Sequence, residues 1–407
     1  MRQKLLAQVE KHRAWAVEIM SNLTAIPALG PDNNGQGEMA KALYLTDVLQ
    51  ELGLNIERVD APDERVPDKA RPNILAWWGE GNTPGCFTLS HMDVVPAGAI
   101  ELWHSDPWQL KVDGSKLYGR GVADNHDSIV ASLLALRAIK ELNAPLPGRA
   151  GVALVSDEET GSHYGLEYVL KARPDFFSAQ DLLIVPDWGD PQGTLIEIAE
   201  KSILWIRVEV LGKQAHASMP QLGNNALYAA ARMMVEVYKV RDSLPQRMDL
   251  FTPPTTTMEP TRKDAGVENI NTIPGQDVFY IDCRVLPGIP LEEIVDALKA
   301  AFNPIAQELD VSYQFSFHQC LEAPQGTPED APVVTALKSA LKLTRGLEAH
   351  VGGIGGGTVA AFFRQQGLPA VVWNTNHGMA HAPNEWVDLN DIVADAKVFA
   401  LLFAGLY

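Results

Sequence analysis

Short apolar runs fenced by glycine and proline alternate with stretches of helical periodicity along the first half of this chain, and that alternation constrains the fold most. Asn73 to Trp78, Cys86 to Ser90, Arg149 to Ser156 and Asp181 to Val185 read as strands. Ala40 to Leu52 places Leu45, Val48, Leu49 and Leu52 at helical spacing and stops at Gly53, a residue that adopts left-handed backbone cheaply. Ser128 to Leu142 repeats the helical pattern. Such alternation predicts an α/β layer built on a mostly parallel, buried sheet. In open sheets of that kind ligands bind beyond the carboxyl ends of the strands.

The pattern changes over residues 198–319. Ser202 to Leu211 puts Leu204, Ile206, Val208 and Val210 on one face and Arg207 and Glu209 on the other, as an antiparallel strand with one wet side does. Asp277 to Val285 and Val311 to Phe317 read as further strands, with helical stretches at Asn225 to Val240 and Leu291 to Ala301. A small α+β unit of ferredoxin-like order is therefore expected, inserted into a larger domain of residues 1–197 and 320–407. Within the insert Phe251 to Thr261, rich in Pro and Thr, is expected to be a loop. After it, Val333 to Lys342 reads as helix and Ala370 to Trp373 as a buried strand. The run Gly352-Gly353-Ile354-Gly355-Gly356-Gly357-Thr358 is expected to open an apolar helix. It lacks the lysine of a phosphate-binding loop, but backbone N–H groups at a helix start suit a substrate carboxylate.

Composition narrows the partners. With 407 residues and 46% apolar content the chain calls for roughly two domains. A net charge of -18 offers no basic stripe to nucleic acid or to anionic lipid. Cys86, Cys283 and Cys320 share no metal-ligand spacing and cannot all pair, which suits a reducing compartment. Met1 to Glu18 is charged throughout and helical rather than signal-like, and no apolar run approaches the ~20 residues of a membrane span. A cytoplasmic location is the expectation.

Carboxylates and histidines then recur where strands end. His91 and Asp93 follow the strand Cys86 to Ser90; the imidazole can bind metal while the carboxylate accepts its second N–H, or the pair can be a surface contact. Asp124, at the end of Tyr118-Gly119-Arg120-Gly121-Val122-Ala123-Asp124, reads by itself as a helix N-cap. Asp157-Glu158-Glu159-Thr160-Gly161 gathers adjacent carboxylates whose repulsion needs a cation or water. Asp187 follows the run Leu183 to Pro186 and could equally be a turn residue before Gly189. His377 and His381 lie in a polar loop, with His381 the candidate ligand and His377 its neighbour. Two imidazoles and several oxygens at one sheet edge match a zinc-type ligand set.

The ordered motifs His91-x-Asp93, Gly119-Arg120-Gly121-x-x-Asp124, Glu158-Glu159, Asp187 and His381-x-x-Asn384-Glu385 resemble the di-zinc aminoacylase/carboxypeptidase G family, which includes acetylornithine deacetylase and succinyl-diaminopimelate desuccinylase. The resemblance implies that Asp124 bridges two divalent ions, zinc first, with cobalt or manganese as alternatives. It gives His91 and Asp187 to one ion and Glu159 and His381 to the other. It makes Glu158 the general base and Asp93 the group that orients His91. It further implies a homodimer in which His216, in Gly212-Lys213-Gln214-Ala215-His216-Ala217-Ser218, supplies an oxyanion donor to the partner subunit. Arg284 and Asn271 fall where the family contacts a substrate carboxylate, with Gly357 and Thr358 assisting; a salt bridge of Arg284 with Asp282 is the alternative.

The chain departs from that pattern twice. Relatives often follow the bridging Asp with Met-Lys-Gly, where this chain has Asn125-His126-Asp127. They often carry Asp and Arg after the glycine-rich Thr, where it has Val359-Ala360-Ala361, so neither named specificity carries over. The expected activity is hydrolysis of an amide bond next to a carboxylate, in an N-acyl amino acid or a short peptide. A dipeptidase or carboxypeptidase on the same site is the first alternative, and a non-catalytic scaffold keeping the fold the remote one. An insert carrying His216 and Arg284 also predicts hinge closure around substrate.

Overall fold

The computed structural model describes residues 1–80 and 84–407. It divides into two compact units, one formed by Met1–Ile198, Thr327–Val351 and Thr358–Tyr407, the other by Ala199–Gly326 and Gly352–Gly357.

In order along the chain the elements that carry the larger sheet are α1 (Met39–Leu52), β1 (Asn55–Arg58), β2 (Ile74–Trp78), β3 (Cys86–His91), α2 (Asp127–Leu142), β4 (Ala150–Val155), β5 (Leu182–Asp190) and β6 (Leu195–Glu200). The smaller sheet is carried by β7 (Ser202–Leu211), α3 (Ala226–Ser243), β8 (Thr257–Lys263), β9 (Gln276–Val285), α4 (Leu291–Leu309) and β10 (Ser312–Leu321). Then come α5 (Pro332–Arg345), β11 (His350–Ile354), β12 (Ala370–Thr375) and α6 (Leu389–Phe403).

The eight-stranded sheet runs β1-β2-β4-β3-β5-β12-β6-β11. Its centre, β4-β3-β5-β12, is parallel, and β1, β2 and β6 join antiparallel to their neighbours. β3 and β4 are buried at every residue, which is why they read as continuous apolar runs rather than alternating ones. One face packs Phe87, Phe176, Phe177 and Phe363 edge to face or tilted, with ring centroids 4.8–5.5 Å apart in the closest pairs. Gly53 closes α1 at φ 76°, as its position predicts.

In the second unit four antiparallel strands run β8-β9-β7-β10, the ferredoxin-like order. Leu204, Ile206, Val208 and Val210 are at most 1% exposed and face Phe279, Ile281, Met233 and Phe302 in one core.

Three local expectations are corrected. Much of the stretch expected as a loop, Phe251 to Thr261, is strand: β8 starts at Thr257 and pairs with β9 despite Pro260. An edge position tolerates the missing N–H, and the register shifts at that point. Gly352, Gly353 and Ile354 belong to β11 rather than to a helix entry, and the helix that follows, Ala360–Gln365, is short. A Cβ on Gly353 would meet the Phe251 ring at 2.4 Å, so close packing asks for glycine there. Asp187 lies inside β5 rather than beyond its end, beside an irregularity in the pairing of β5 with β12.

Candidate metal centre

β3, β4 and β5 are neighbouring parallel strands, so their carboxyl ends deliver His91, the Asp157-Glu158-Glu159 turn and Asp187 to one edge of the sheet. Asp124 reaches the same place from the irregular turn Val122–His126 that precedes α2. The helix that follows has His126 at its N-cap, so Asp124 does not occupy the cap position. His381 arrives from a loop in which its own φ is 63° and that of Asn384 is 58°.

The ligand atoms of His91, Asp124 and Asp187 all lie within 4.8 Å of one another, as do those of Asp124, Glu159 and His381. Asp124 belongs to both sets. His91 Nε2 is 2.9 Å from Asp124 Oδ1 and 3.6 Å from Asp187 Oδ1. His381 Nε2 is 3.2 Å from the other oxygen of Asp124 and 3.0 Å from Glu159 Oε2. The His91 side chain is 2% exposed and that of His381 54%, so one set is built into the sheet and the other faces outward.

His91 Nδ1 donates to the main-chain oxygen of Asp93 at 2.9 Å, which fixes the tautomer and turns the Nε2 lone pair of the neutral ring toward Asp124 and Asp187. The Asp93 carboxylate is farther, at 3.5 Å, and accepts the backbone N–H groups of Glu158 and Glu159, each at 3.1 Å. Asp93 thus ties the imidazole to the acidic turn. Asn125 donates to Asp187 Oδ1 at 3.1 Å and to the carbonyl of Pro186 at 2.8 Å, fixing that carboxylate.

Electrostatics show which charge the cluster favours. Burial, then Asp187, Glu159 and Asp124, push Glu158 well above its ordinary range, with only His91 pulling it down. Burial likewise raises Glu159, whose Oε1 is buried without a hydrogen-bond partner. Burial alone would lower His91, yet Asp124, Asp187 and Asp93 hold it well above the usual value. Contacts with Asp124 and Glu159 lift His381 to about 10. A site that draws protons onto both imidazoles carries excess negative charge, and hard oxygens with imidazole nitrogens fit divalent cations.

The remaining candidates sit in the second unit, apart from Thr358. His216 lies on a two-residue strand, Ala215–His216, paired with Thr272–Ile273, so Asn271 is its near neighbour. The His216 Nδ1 accepts the Ser218 N–H at 3.1 Å, which leaves Nε2 as an exposed N–H donor. Arg284 forms the two-toothed contact with Asp282, 2.7 and 3.1 Å, and donates to the carbonyl of Gly355 at 3.0 Å. Gly357 packs near Ile203 and Glu200, and Thr358 accepts the Ala360 N–H. His377 Nε2 donates to Asp391 Oδ2 at 2.8 Å against the Trp386 ring, outside both ligand sets.

Two buried pairs had no role in the sequence analysis. Arg120 and Glu385 meet at 2.5 Å, and Lys41 lies 2.7 Å from His126 Nε2 at 0% exposure. Lys41 carries a sequence signal: it falls on the apolar stripe of α1, four residues before Leu45.

The sequence profile of peptidase family M20/M25/M40 matches residues 87–404. An uncharacterized metallohydrolase of Methanocaldococcus jannaschii is 38% identical over 399 residues, covering 94% of this chain and 97% of its own. Among solved structures, aminopeptidase PepT from Bacillus cereus aligns with a TM-score of 0.75 at 19% identity, over 97% of this chain and 98% of that one. Human carnosine dipeptidase 1 gives 0.73 at 17% identity, over 100% and 99%. The Bacillus subtilis YXEP protein, a dinuclear metal binding peptidase, gives 0.69 at 16% identity, over 98% and 99%. At these identities the structural likeness is one of fold.

Proposed function

Since the chain belongs to peptidase family M20/M25/M40 and is a metallohydrolase, we propose that it cleaves an amide bond next to a carboxylate, as an N-acyl amino acid deacylase with two bound divalent ions. The observation that carries this reading is the pair of ligand sets sharing Asp124, with Glu158 beside them and in neither. His91, Asp187 and Asp124 would hold one ion, and Glu159, His381 and Asp124 the other. Zinc suits these donors, and cobalt and manganese compete for them. When bound, the ions supply Lewis acidity that polarises the scissile carbonyl and acidifies water.

Everything else falls to side chains. Glu158 accepts the proton of the attacking water at a carboxylate oxygen and passes it to the leaving amine nitrogen. It is available for that shuttle because it stands beside the two ligand sets and belongs to neither. Asp93 keeps His91 and the Glu158 turn in register. His216, with its Nε2–H free, donates to the developing oxyanion of the partner subunit's substrate in a homodimer. Arg284 retains N–H groups beyond those used by Asp282 and Gly355, and with Asn271, Gly357 and Thr358 it would take the substrate carboxylate.

A small dipeptidase is the second reading, favoured by the fold shared with human carnosine dipeptidase 1. The test is hydrolysis of a panel of N-acyl amino acids and dipeptides by the metal-loaded parent and by Glu158→Ala. The expected loss in kcat is about 10²–10⁴-fold with metal content unchanged. A Glu158→Ala enzyme as fast as its parent overturns the mechanism, and the preferred half of the panel separates deacylase from dipeptidase.

A further inference from the structure

The motifs around Asp124 and His381 each contain a residue that binds no ion in this scheme, and the two meet inside the protein. Arg120 Nη1 lies 2.5 Å from Glu385 Oε2, with side chains 2% and 0% exposed. That same oxygen accepts the N–H of Gly121 at 3.1 Å, and Oε1 accepts the N–H of Ala123 at 2.8 Å. The main chain closes the junction, since Gly119 N–H donates to the Glu385 carbonyl at 3.1 Å. Arg120 Nη2 in turn donates to the carbonyl of His381 at 3.2 Å. One step along, Asn384 accepts the His104 N–H at 2.7 Å and donates to the Leu102 carbonyl at 2.8 Å.

We propose that Arg120 and Glu385 are positioning residues that clamp the Asp124 turn to the His381 loop and so set the affinity of the ion held through Glu159 and His381. This inference rests on the two-ion reading above. The two ions differ in what supports their outer ligands. His91 ends a strand and Asp187 lies inside one, so the sheet holds them. His381 sits on a loop with left-handed backbone at both His381 and Asn384, and its side chain is half exposed. Its carbonyl bond to Arg120 and the Glu385 contacts tie that loop to the turn presenting Asp124, although 261 residues separate His381 from Arg120. Arg120 and Glu385 also neutralise each other, so neither adds net charge beside the ions.

The chemistry of the clamp makes it sensitive to a small change. A carboxylate offers two acceptor oxygens, one for Arg120 and Gly121 and one for Ala123. Glu385→Gln keeps the shape but turns one of them into an NH₂ that faces a donor. Either the Ala123 N–H or the Arg120 and Gly121 donors then lose their acceptor, and Arg120 is left charged without its counterion.

The experiment is calorimetric titration of the metal-stripped full chain with zinc, for the parent, Glu385→Gln and Arg120→Lys. Two binding steps are expected in the parent. In Glu385→Gln the weaker step loses about 10–100-fold in affinity, the scale of outer-ligand support, while the step assigned to His91 and Asp187 changes less. Activity lost at limiting zinc returns as zinc is raised, which a misfolded site would not allow. Arg120→Lys keeps the positive charge beside Glu385 but gives up the second donor to the His381 carbonyl, so it shows a loss in the same step and remains decisive if Glu385→Gln does not fold. A parent that binds no ion overturns the two-ion reading itself. A parent that binds two, alongside variants with unchanged affinities, overturns the clamp alone.

Discussion

Lys41 shows how much a single buried side chain can report. Burial holds its pKa at about 7 rather than 10.5, against the pull of Asp93 and Glu38. Below about pH 7 the ammonium is charged in both folded and unfolded chains, and folding bears the full cost of burying it. Between about 7 and 10.5 the unfolded chain binds the extra proton, so stability rises with pH; above that window no cost remains. Each pKa unit corresponds to about 1.4 kcal/mol, so the swing amounts to a few kcal/mol. Urea midpoints of the parent relative to Lys41→Met should therefore climb from about pH 6 to about pH 10. A difference that does not change with pH would contradict the assignment. At this scale the sequence exposed the candidate ligand types, because residues able to bind metal are few in kind and His91 and Glu159 stand at or just past the ends of apolar runs. Partners such as Arg120 and Glu385 were legible as letters only, since their contact spans 265 residues and exists only once the fold brings two motifs together.

Elements were most legible where periodicity was strong. β7 alternates apolar and polar side chains, and its inward residues are buried as the pattern requires. Truncating one of them, Ile206→Ala, should cost about 2–5 kcal/mol, through lost transfer energy and the cavity left behind. Chemical denaturation measures this, and a cost under about 1 kcal/mol would mean the core can collapse around the gap. The stretch Phe251 to Thr261 misled because proline and threonine dominate it, and only the sheet order reveals that β8 is an edge strand where Pro260 is tolerated. The glycine run misled for a related reason. Gly353 is there to admit the Phe251 ring and not to start a helix. The opposite edge strand, β10, exposes Phe317 and Leu321 at 49% and 55%. An unpaired edge with apolar side chains is a pairing surface. Under the homodimer reading, Phe317→Lys should move the protein from dimer to monomer in light scattering, and an unchanged mass would separate β10 from the subunit contact.

For the whole molecule, the two-ion reading makes stability and function meet at the ions. No helix among the described residues is long and apolar enough to cross a membrane. Ions that bind only the folded chain stabilise it by mass action, by about 4 kcal/mol at a thousandfold excess over Kd. Chelator should therefore lower the melting temperature, and equal melting with and without it would favour the scaffold alternative. Metal count is the most direct test of the central claim, that one aspartate serves two ions. Zinc per chain, measured after equilibration and desalting, should be about two for the parent and fall toward zero for Asp124→Ala, because both sites lose their shared ligand. A parent that retains no zinc, or an Asp124→Ala chain that still retains two ions, would contradict it.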